Sequence, residues 1–253
     1  MENTTIIERE KVKLKNGVLI VGLPGIGLIG QVVGRYMVKE LKATKVAHLL
    51  SHHFPHQVFM TKKGGMRLIR NNFYSYKNKN VNILFLTGDI QAMSSVGQYE
   101  VATKILAYAK KCGINHIITV GGYSTGKVND KRRIFAVSTS NEDKNQFKKL
   151  GVVFGEARGS IVGAAGLLPV LGKYQHGMKG ICVMGETHGG YVDTVSARII
   201  IDMLSAYFGI KIDLKGIDSR AKESEKLIKK MEDEISKSIQ IPTVSDSGVS
   251  YIR

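Results

Sequence analysis

The sequence predicts an α/β protein with three layers, in which helices cover both faces of a central sheet. Four short apolar runs carry this prediction, and a glycine follows each of them: Val18–Val21, Ile83–Leu86, Ile117–Val120 and Ile181–Met184. Continuous apolar runs of this length, without polar alternation, are typical of strands buried on both faces of a parallel sheet. The chain of 253 residues is long enough for one such core.

Segments with helical periodicity lie between or after these runs. The first, from Leu28 to Leu41, has an apolar stripe and carries polar residues such as Arg35 on its other face. The second opens at Ser95–Gln98, which has the form of a capping box. A third long helix is predicted after Asp193. Strands and helices therefore alternate, which supports the α/β/α sandwich.

Residues 57–77 depart from this alternation. They contain short β-rich pieces separated by the turn-forming pairs Gly64–Gly65 and Asn71–Asn72. This pattern predicts antiparallel strands joined by turns. The sheet is therefore expected to be mixed, with mostly parallel strands.

The C-terminal part of the chain is predicted to lie outside the core domain, to which we assign residues 1–214. Residues 215–241 predict a polar helix with a narrow apolar stripe, and both docking on another subunit and packing on its own domain remain open. Pro242 ends this helix. We expect residues 242–253, which are rich in serine, to form a flexible tail.

The formal net charge is +16, from 37 basic and 21 acidic residues. Such an excess suits an acidic partner, and nucleic acid is the first class to consider. The cations are scattered, however, and the densest cluster, Lys131–Arg133, lies in a short turn-like stretch. Because no basic stripe with stacking aromatic residues is present, a solvated basic surface is preferred to nucleic-acid binding.

Several classes of protein and of site are not expected. No run of about 18 apolar residues is present, so a membrane-spanning helix is not predicted. The first residues lack the basic and apolar segments of a secretion signal, and a cytoplasmic location is the expectation. Cys112 and Cys182 lie in apolar segments and are interpreted as small buried hydrophobic residues.

Four histidines lie close together at positions 48, 52, 53 and 56. Spacings of four residues could place two imidazoles on one helical face as metal ligands. Pro55 prevents a regular helix there, and no cysteine or carboxylate follows nearby in the sequence. We therefore interpret them as loop histidines and expect neither a metal nor a cofactor.

A glycine motif, G-x-G-x-x-G, is formed by Gly25, Gly27 and Gly30 after the first buried strand. This is the context of a dinucleotide-binding turn. Two details oppose that function: Pro24 interrupts the turn, and the strand at residues 45–50 has no acid at its end to bind a ribose. Close packing of helix on sheet, or binding of a smaller anion, explains the glycines better.

Polar residues follow the predicted strands at Asp89, at residues 123–125, and at Glu186 and His188. In open α/β sheets, ligands bind in the crevice outside the carboxyl ends of the strands. Glu186 and His188 could act there as an acid and a base, or bind a sugar hydroxyl. No nucleophile elbow or P-loop lysine accompanies them.

Several segments together resemble the archaeal branch of the proteasome assembly chaperone family, over about residues 15–235. They are Gly22–Gly30 opening a helix, His53–Pro55 before the β-rich stretch that ends in Phe73–Tyr74, and Gly185–Thr187 followed by Asp193 and a helix with Ala197. The resemblance implies a nucleoside phosphorylase-like α/β/α fold. It also implies homo-oligomers that bind proteasome α subunits without ATP.

The resemblance further implies a role for the end of the chain. Archaeal members of the family use a C-terminal hydrophobic–Tyr–any motif that enters pockets between adjacent α subunits. Here Tyr251 is third from the end, Ile252 is penultimate and Arg253 is last, so the tyrosine is shifted by one position. Two apolar anchors and a free carboxylate still suit insertion into a groove.

We therefore expect a non-enzymatic assembly chaperone or activator that binds the proteasome α ring through Tyr251, Ile252 and Arg253. The alternative is an enzyme of nucleoside phosphorylase or hydrolase type, suggested by the shared fold. It would use Glu186 for the ribose and the turn from Gly25 to Gly30 for phosphate. Fold alone is weak support for an activity, so the alternative ranks second.

Overall fold

The computed structural model describes residues 3–126, 131–219 and 221. The strands are β1 (Thr4–Glu8), β2 (Gly17–Gly22), β3 (Thr44–Ser51), β4 (Val58–Met60), β5 (Met66–Leu68), β6 (Asn71–Lys77), β7 (Asn82–Gly88), β8 (Ile114–Ser124), β9 (Ile134–Ser138), β10 (Val153–Phe154) and β11 (Lys179–Thr187). The helices are α1 (Ile29–Glu40), α2 (Ser95–Lys111), α3 (Asn141–Lys148), α4 (Ala164–His176) and α5 (Thr194–Phe208). Ile26–Leu28 forms a 3₁₀ turn before α1, and residues 215–219 are also helical.

Within these residues nine strands form one mixed sheet, in the order β1-β3-β6-β7-β2-β8-β11-β9-β10. The central strands β7, β2, β8 and β11 are parallel, and they contain the four apolar runs. On one side β6, β3 and β1 continue the sheet with antiparallel pairing. On the other side β9 is antiparallel to β11 and parallel to β10. The predicted mixed sheet is confirmed, and its parallel part is concentrated at the centre.

Helices cover both faces of the sheet. On one face Val101 and Ile105 of α2 and Leu168 of α4 join a buried cluster with Leu19 and Ile117. On the other face α1 and α5 pack on the same central strands through a second buried cluster, which includes Ile29, Val33, Ile200, Ile20 and Ile118. Alternate residues of each central strand therefore enter different cores, as a three-layer sandwich requires.

Side-chain caps set the starts of α2 and α5, and the cap of α2 differs from the prediction. Ser94, rather than Ser95, caps α2: its hydroxyl accepts a hydrogen bond from the Gly97 N–H at 3.1 Å. Gln98 does not return to the cap, because its amide donates to the Ala92 carbonyl at 2.6 Å. Asp193 caps α5 by accepting from the Ser196 N–H at 2.9 Å, which confirms the predicted start.

The region of residues 57–77 is antiparallel, as predicted, but the predicted turn at Asn71–Asn72 is wrong. Both asparagines belong to β6, because pairing with β3 on one side and β7 on the other outweighs their local preference for turns. β4 and β5 make a separate two-stranded hairpin, and β6 joins the main sheet. The predicted C-terminal helix begins at residue 215, but its remainder and the tail of residues 242–253 lie outside the described residues. The domain boundary at residue 214 therefore stays a prediction.

Both cysteines are buried, as predicted. Burial raises the pKa of Cys182 to about 11 and also raises that of Cys112. The thiols therefore stay protonated near neutral pH and serve as apolar packing groups. Among the described residues, no helix is long and apolar enough to cross a membrane.

Candidate functional site

A cavity of about 550 Å³ lies at the carboxyl ends of the central strands, where the sequence predicted a crevice. Its walls come from the ends of β2 and β8, the segment after β10 and the start of α4. The lining is mainly apolar and includes Leu23, Ile26, Val120, Ile161 and Met184. A pocket of this size and character is suited to an apolar side chain or small ligand.

The three glycines of the motif have different structural roles. Gly30 lies so close to the sheet that a Cβ atom there would be 2.3 Å from the Val120 carbonyl oxygen. Gly27 has a φ of +62°, and its carbonyl accepts a hydrogen bond from the Asp193 N–H at 2.9 Å. Gly25 lines the cavity, and a Cβ there would have its nearest neighbour 4.0 Å away. The motif thus packs α1 on the sheet and exposes one glycine to the cavity.

Glu186 is held by Arg133 and does not line the cavity. Its carboxylate accepts hydrogen bonds from the Nε, Nη2 and backbone N–H of Arg133, at 3.2, 3.3 and 3.1 Å. The glutamate is 1% exposed. Arg133 also pairs with Glu156 at 3.0 Å and lies over the ring of Phe135. An acid that is buried and occupied in this way is unsuited to binding a ribose, which the enzymatic alternative requires.

Arg132 is also directed into the protein. It is 4% exposed in its side chain, and its Nε lies 3.5 Å from an Oδ atom of Asp193, the residue that caps α5. Two of the three cations in the densest basic cluster are therefore engaged by acids of the core domain. This reduces the charge that Lys131–Arg133 can offer to a nucleic acid.

His188 is exposed and lies apart from the cavity lining. Its ring stacks on that of Tyr191, with 5.7 Å between the ring centroids. Its backbone carbonyl accepts a hydrogen bond from the Ser124 hydroxyl at 2.8 Å. The structure therefore does not join Glu186 and His188 as an acid–base pair at this cavity.

Gln91, which was not among the predicted site residues, connects two walls of the cavity. Its amide nitrogen donates to the Pro24 carbonyl at 2.6 Å, and its amide oxygen accepts from the Ala164 N–H at 2.9 Å. The side chain thereby joins the glycine turn to the first turn of α4. The available signal was its position just after a buried strand, the same signal that identified Asp89.

Asp89 also has a structural role. It accepts hydrogen bonds from the Arg67 guanidinium at 2.6 and 3.1 Å and from the Arg70 N–H at 3.1 Å. Burial alone would raise the pKa of Asp89, but these hydrogen bonds and the nearby arginine charges outweigh it and hold the pKa below its ordinary value.

One of the four histidines has an acidic partner that is distant in sequence. His53 Nε2 lies 2.8 Å from a carboxylate oxygen of Glu100 on α2, and the Thr4 hydroxyl donates to the other oxygen at 2.6 Å. The hydrogen bonds from Thr4 and His53 lower the pKa of Glu100. Within the described part of the chain, no group of three or more potential metal-binding side chains comes together.

The PAC2 family matches the chain over residues 19–232, which is most of its length. The chain belongs to the PAC2 family. This confirms the family predicted from the Gly22–Gly30 motif and the segments found with it.

One relative and two solved structures are similar to this chain over most of its length. "Uncharacterized protein MJ1210" of Methanocaldococcus jannaschii is 34% identical over 242 residues, which cover 94% of this chain and 93% of that protein. The crystal structure of Pyrococcus furiosus PbaB, an archaeal proteasome activator, is similar with a TM-score of 0.87 and 36% identity, over 92% of this chain and 100% of that one. PbaA of the same organism shares the fold, with a TM-score of 0.76 and 24% identity over 94% of each chain.

In this PAC2 protein the family match contains the cavity, the glycine motif and Glu186. It ends before Tyr251, Ile252 and Arg253, which also lie outside the described residues. The predicted contact of these last three residues with a partner therefore stays a proposal.

Proposed function

We propose that this protein is a non-enzymatic, ATP-independent binding protein that acts on the cytoplasmic proteasome as an assembly chaperone or activator. The observation that carries the proposal is its similarity to PbaB, an archaeal proteasome activator, at 36% identity and a TM-score of 0.87 over 92% of the chain. The geometry of Glu186 supports it, since the acid that an enzyme would use is occupied by Arg133.

The contact with the proteasome α ring is made by the last three residues, Tyr251, Ile252 and Arg253. Two apolar side chains can fill a groove between α subunits while the terminal carboxylate pairs with a lysine. Several chains in a homo-oligomer present several such ends to one ring. Each contact can then be weak, because linked ends bind at a high effective concentration.

The test is co-sedimentation of the full chain with proteasome α rings, before and after deletion of Tyr251–Arg253. The matched control deletes Ser245–Ser247, which shortens the same segment by three residues and keeps its end. We expect the terminal deletion to abolish co-sedimentation and the control to retain it, with the same oligomer size for both. Equal binding by the two variants would reject the tail contact, and no binding by the full chain would reject a proteasome partner.

A further inference from the structure

The sheet has one region that the described helices leave open. On the face where α1 and α5 pack, Phe85 of β7 is fully buried, but burial decreases across the neighbouring strands β6, β3 and β1. Tyr74 of β6 and His48 of β3 are half-buried, and Ile7 of β1 is 43% exposed. On the opposite face α2 covers the same strands, where Phe73 packs on Tyr108.

The open region has the width of one helix. Neighbouring strands are about 4.8 Å apart, so β1 to β6 span about 10 Å, which is about the diameter of a helix with its side chains. The pairing register places Ile7 beside His48 and His48 beside Asn72, all on this face. A helix laid beside α1 would therefore complete the layer.

Cations collect on this face without carboxylate partners. Within the described residues, no acidic group forms an ion pair with the side chain of Arg9, Lys45 or Arg70, and the Arg70 Nε is buried without a hydrogen-bond partner. The nearby acid Asp89 is already bound by Arg67. Burial and the charges of Arg70 and Arg9 lower the pKa of Lys45 to about 8. A carboxylate placed here would relieve this repulsion.

Apolar side chains border the cations. The hairpin of β4 and β5 overhangs the same face and encloses a cavity of about 530 Å³, lined in part by Ile7, Leu50, Val58 and Leu68. Val58 is 53% exposed and Leu68 57% exposed. The open region thus combines an apolar groove with a cluster of positive charges that form no ion pair with the acids of the described ranges. We name this region the basic sheet face, and it consists of Ile7, Arg9, Lys45, Leu50, Val58, Leu68 and Arg70.

We propose that the basic sheet face binds an acidic amphipathic helix of a partner protein. The apolar stripe of such a helix fills the groove beside Ile7 and Leu68, and its carboxylates pair with Lys45 and Arg70. The helix occupies the position beside α1 that the described helices leave open. This inference stands independently of the proposed proteasome contact through the C-terminal residues.

Charge distinguishes this occupant from two others. The chain's own residues 222–241 contain five lysines and five acidic residues, so their net charge does not complement the face. A nucleic acid would pair with the cations, but its phosphodiester backbone offers no apolar side chains to the exposed Val58 and Leu68. A protein segment that carries both acidic and apolar groups satisfies both halves of the surface.

The experiment uses the full chain and fluorescein-labelled peptides of about 18 residues, a length of about 27 Å as a helix. One peptide has leucines at helical spacing and glutamates elsewhere, a second has lysine in place of glutamate, and a third has serine in place of leucine. We expect fluorescence anisotropy to show binding of the first peptide, and at least about tenfold weaker binding of the other two. Equal affinity for the lysine peptide, or displacement of the first peptide by duplex DNA of matched charge, would overturn the proposal.

Two variants locate the binding. The double charge reversal K45E/R70E should weaken binding of the acidic peptide by at least about tenfold, whereas K148E/K149E, on the exposed surface of α3 and just after it, is the charge-matched control and should not. Should K45E/R70E fail to fold, I7S/L68S tests the apolar half through exposed side chains. If K45E/R70E folds, unchanged affinity for the acidic peptide in this variant would overturn the proposal. The same result in folded I7S/L68S would also overturn it. A change in the sedimentation coefficient of free K45E/R70E would also do so, because another copy or the chain's own end would then cover the face.

Discussion

Glu186 at the end of β11 and Arg133 just before β9 are joined by hydrogen bonds of both their side chains and their backbones. The carboxylate accepts from the arginine Nε at 3.2 Å and from its backbone N–H at 3.1 Å, while the Glu186 N–H donates to the Arg133 carbonyl at 2.9 Å. The pair joins residues 53 positions apart in the sequence. The strand-end acid therefore serves to attach the segment before β9 to the core.

Removing the charge of Glu186 should destabilise the fold without removing an activity. Glu186→Gln keeps the size of the side chain but replaces the buried carboxylate that accepts three hydrogen bonds from Arg133 by a neutral amide, and only the exposed Glu156 remains as an acid beside the guanidinium. The free energy of unfolding should therefore fall by about 1–3 kcal/mol. Urea unfolding followed by circular dichroism measures the change. Glu156→Gln, whose side chain is 60% exposed, is the control and should change stability by less than about 0.5 kcal/mol. A nucleoside phosphorolysis or hydrolysis activity that disappears in Glu186→Gln would contradict the structural role.

Two glycines of one motif should respond differently to the same substitution. Gly30→Ala places a Cβ 2.3 Å from the Val120 carbonyl oxygen, so α1 must move from the sheet and stability should fall by about 2–3 kcal/mol. Gly25→Ala faces open space in the cavity and should change stability by less than about 0.5 kcal/mol. Thermal unfolding of both variants measures the difference. A similar loss of stability in both variants would show that the motif does not serve mainly to pack α1 on the sheet.

The link made by Gln91 should control the order of the first turn of α4. Gln91→Leu removes both hydrogen bonds at similar volume, so the Pro24 carbonyl and the Ala164 N–H lose their partner and stability should fall by about 1–2 kcal/mol. Hydrogen exchange should accelerate at Ala164 and its neighbours more than in the centre of α4. Gln146→Leu, on the exposed surface of α3, is the control, and equal exchange in both variants would contradict the link.

Lys45 should make stability depend on pH in the alkaline range. Burial, with the charges of Arg70 and Arg9, lowers its pKa in the folded protein to about 8 from an ordinary value of 10.5. Between these values the unfolded chain holds a proton that the folded chain has released, so the free energy of unfolding should rise with pH over this window. Urea midpoints at about pH 7 and about pH 10 measure the rise, which should be smaller in Lys45→Met than in the control Lys148→Met. The same rise in both variants would show that other groups cause it.

Local signals in the sequence were sufficient to predict the central strands and the start of α5. The apolar runs at residues 18–21 and 117–120 identified central strands because burial on both faces leaves no room for alternating polar residues. Asp193 was placed correctly at the start of a helix, because a cap involves residues only three apart. The cap of α2 was placed one residue late, at Ser95 instead of Ser94, because neighbouring serines are equally able to cap.

The contacts of the candidate site were harder to predict from the sequence, because the residues that pair there are far apart along the chain. Glu186 was identified at a strand end, but its pairing with Arg133 could not be read from spacing. The acid that binds His53 is Glu100, which lies 47 residues away, so the sequence around the histidine gives no sign of this pair. Gln91 was missed because a neutral amide carries no charge or periodic signal.

The amino-acid pattern by itself determined the layers, the central strands and the family of this protein, since each depends on periodicity or on a continuous motif. Only the tertiary structure decided which charges are occupied and which are free. It buried Arg132 against Asp193, and it brought Arg9, Lys45 and Arg70 together on a sheet face where the nearby acid, Asp89, is already bound by Arg67. The reason is physical: strand pairing brings together residues from separate parts of the chain, and electrostatic environment depends on distance in space rather than along the sequence.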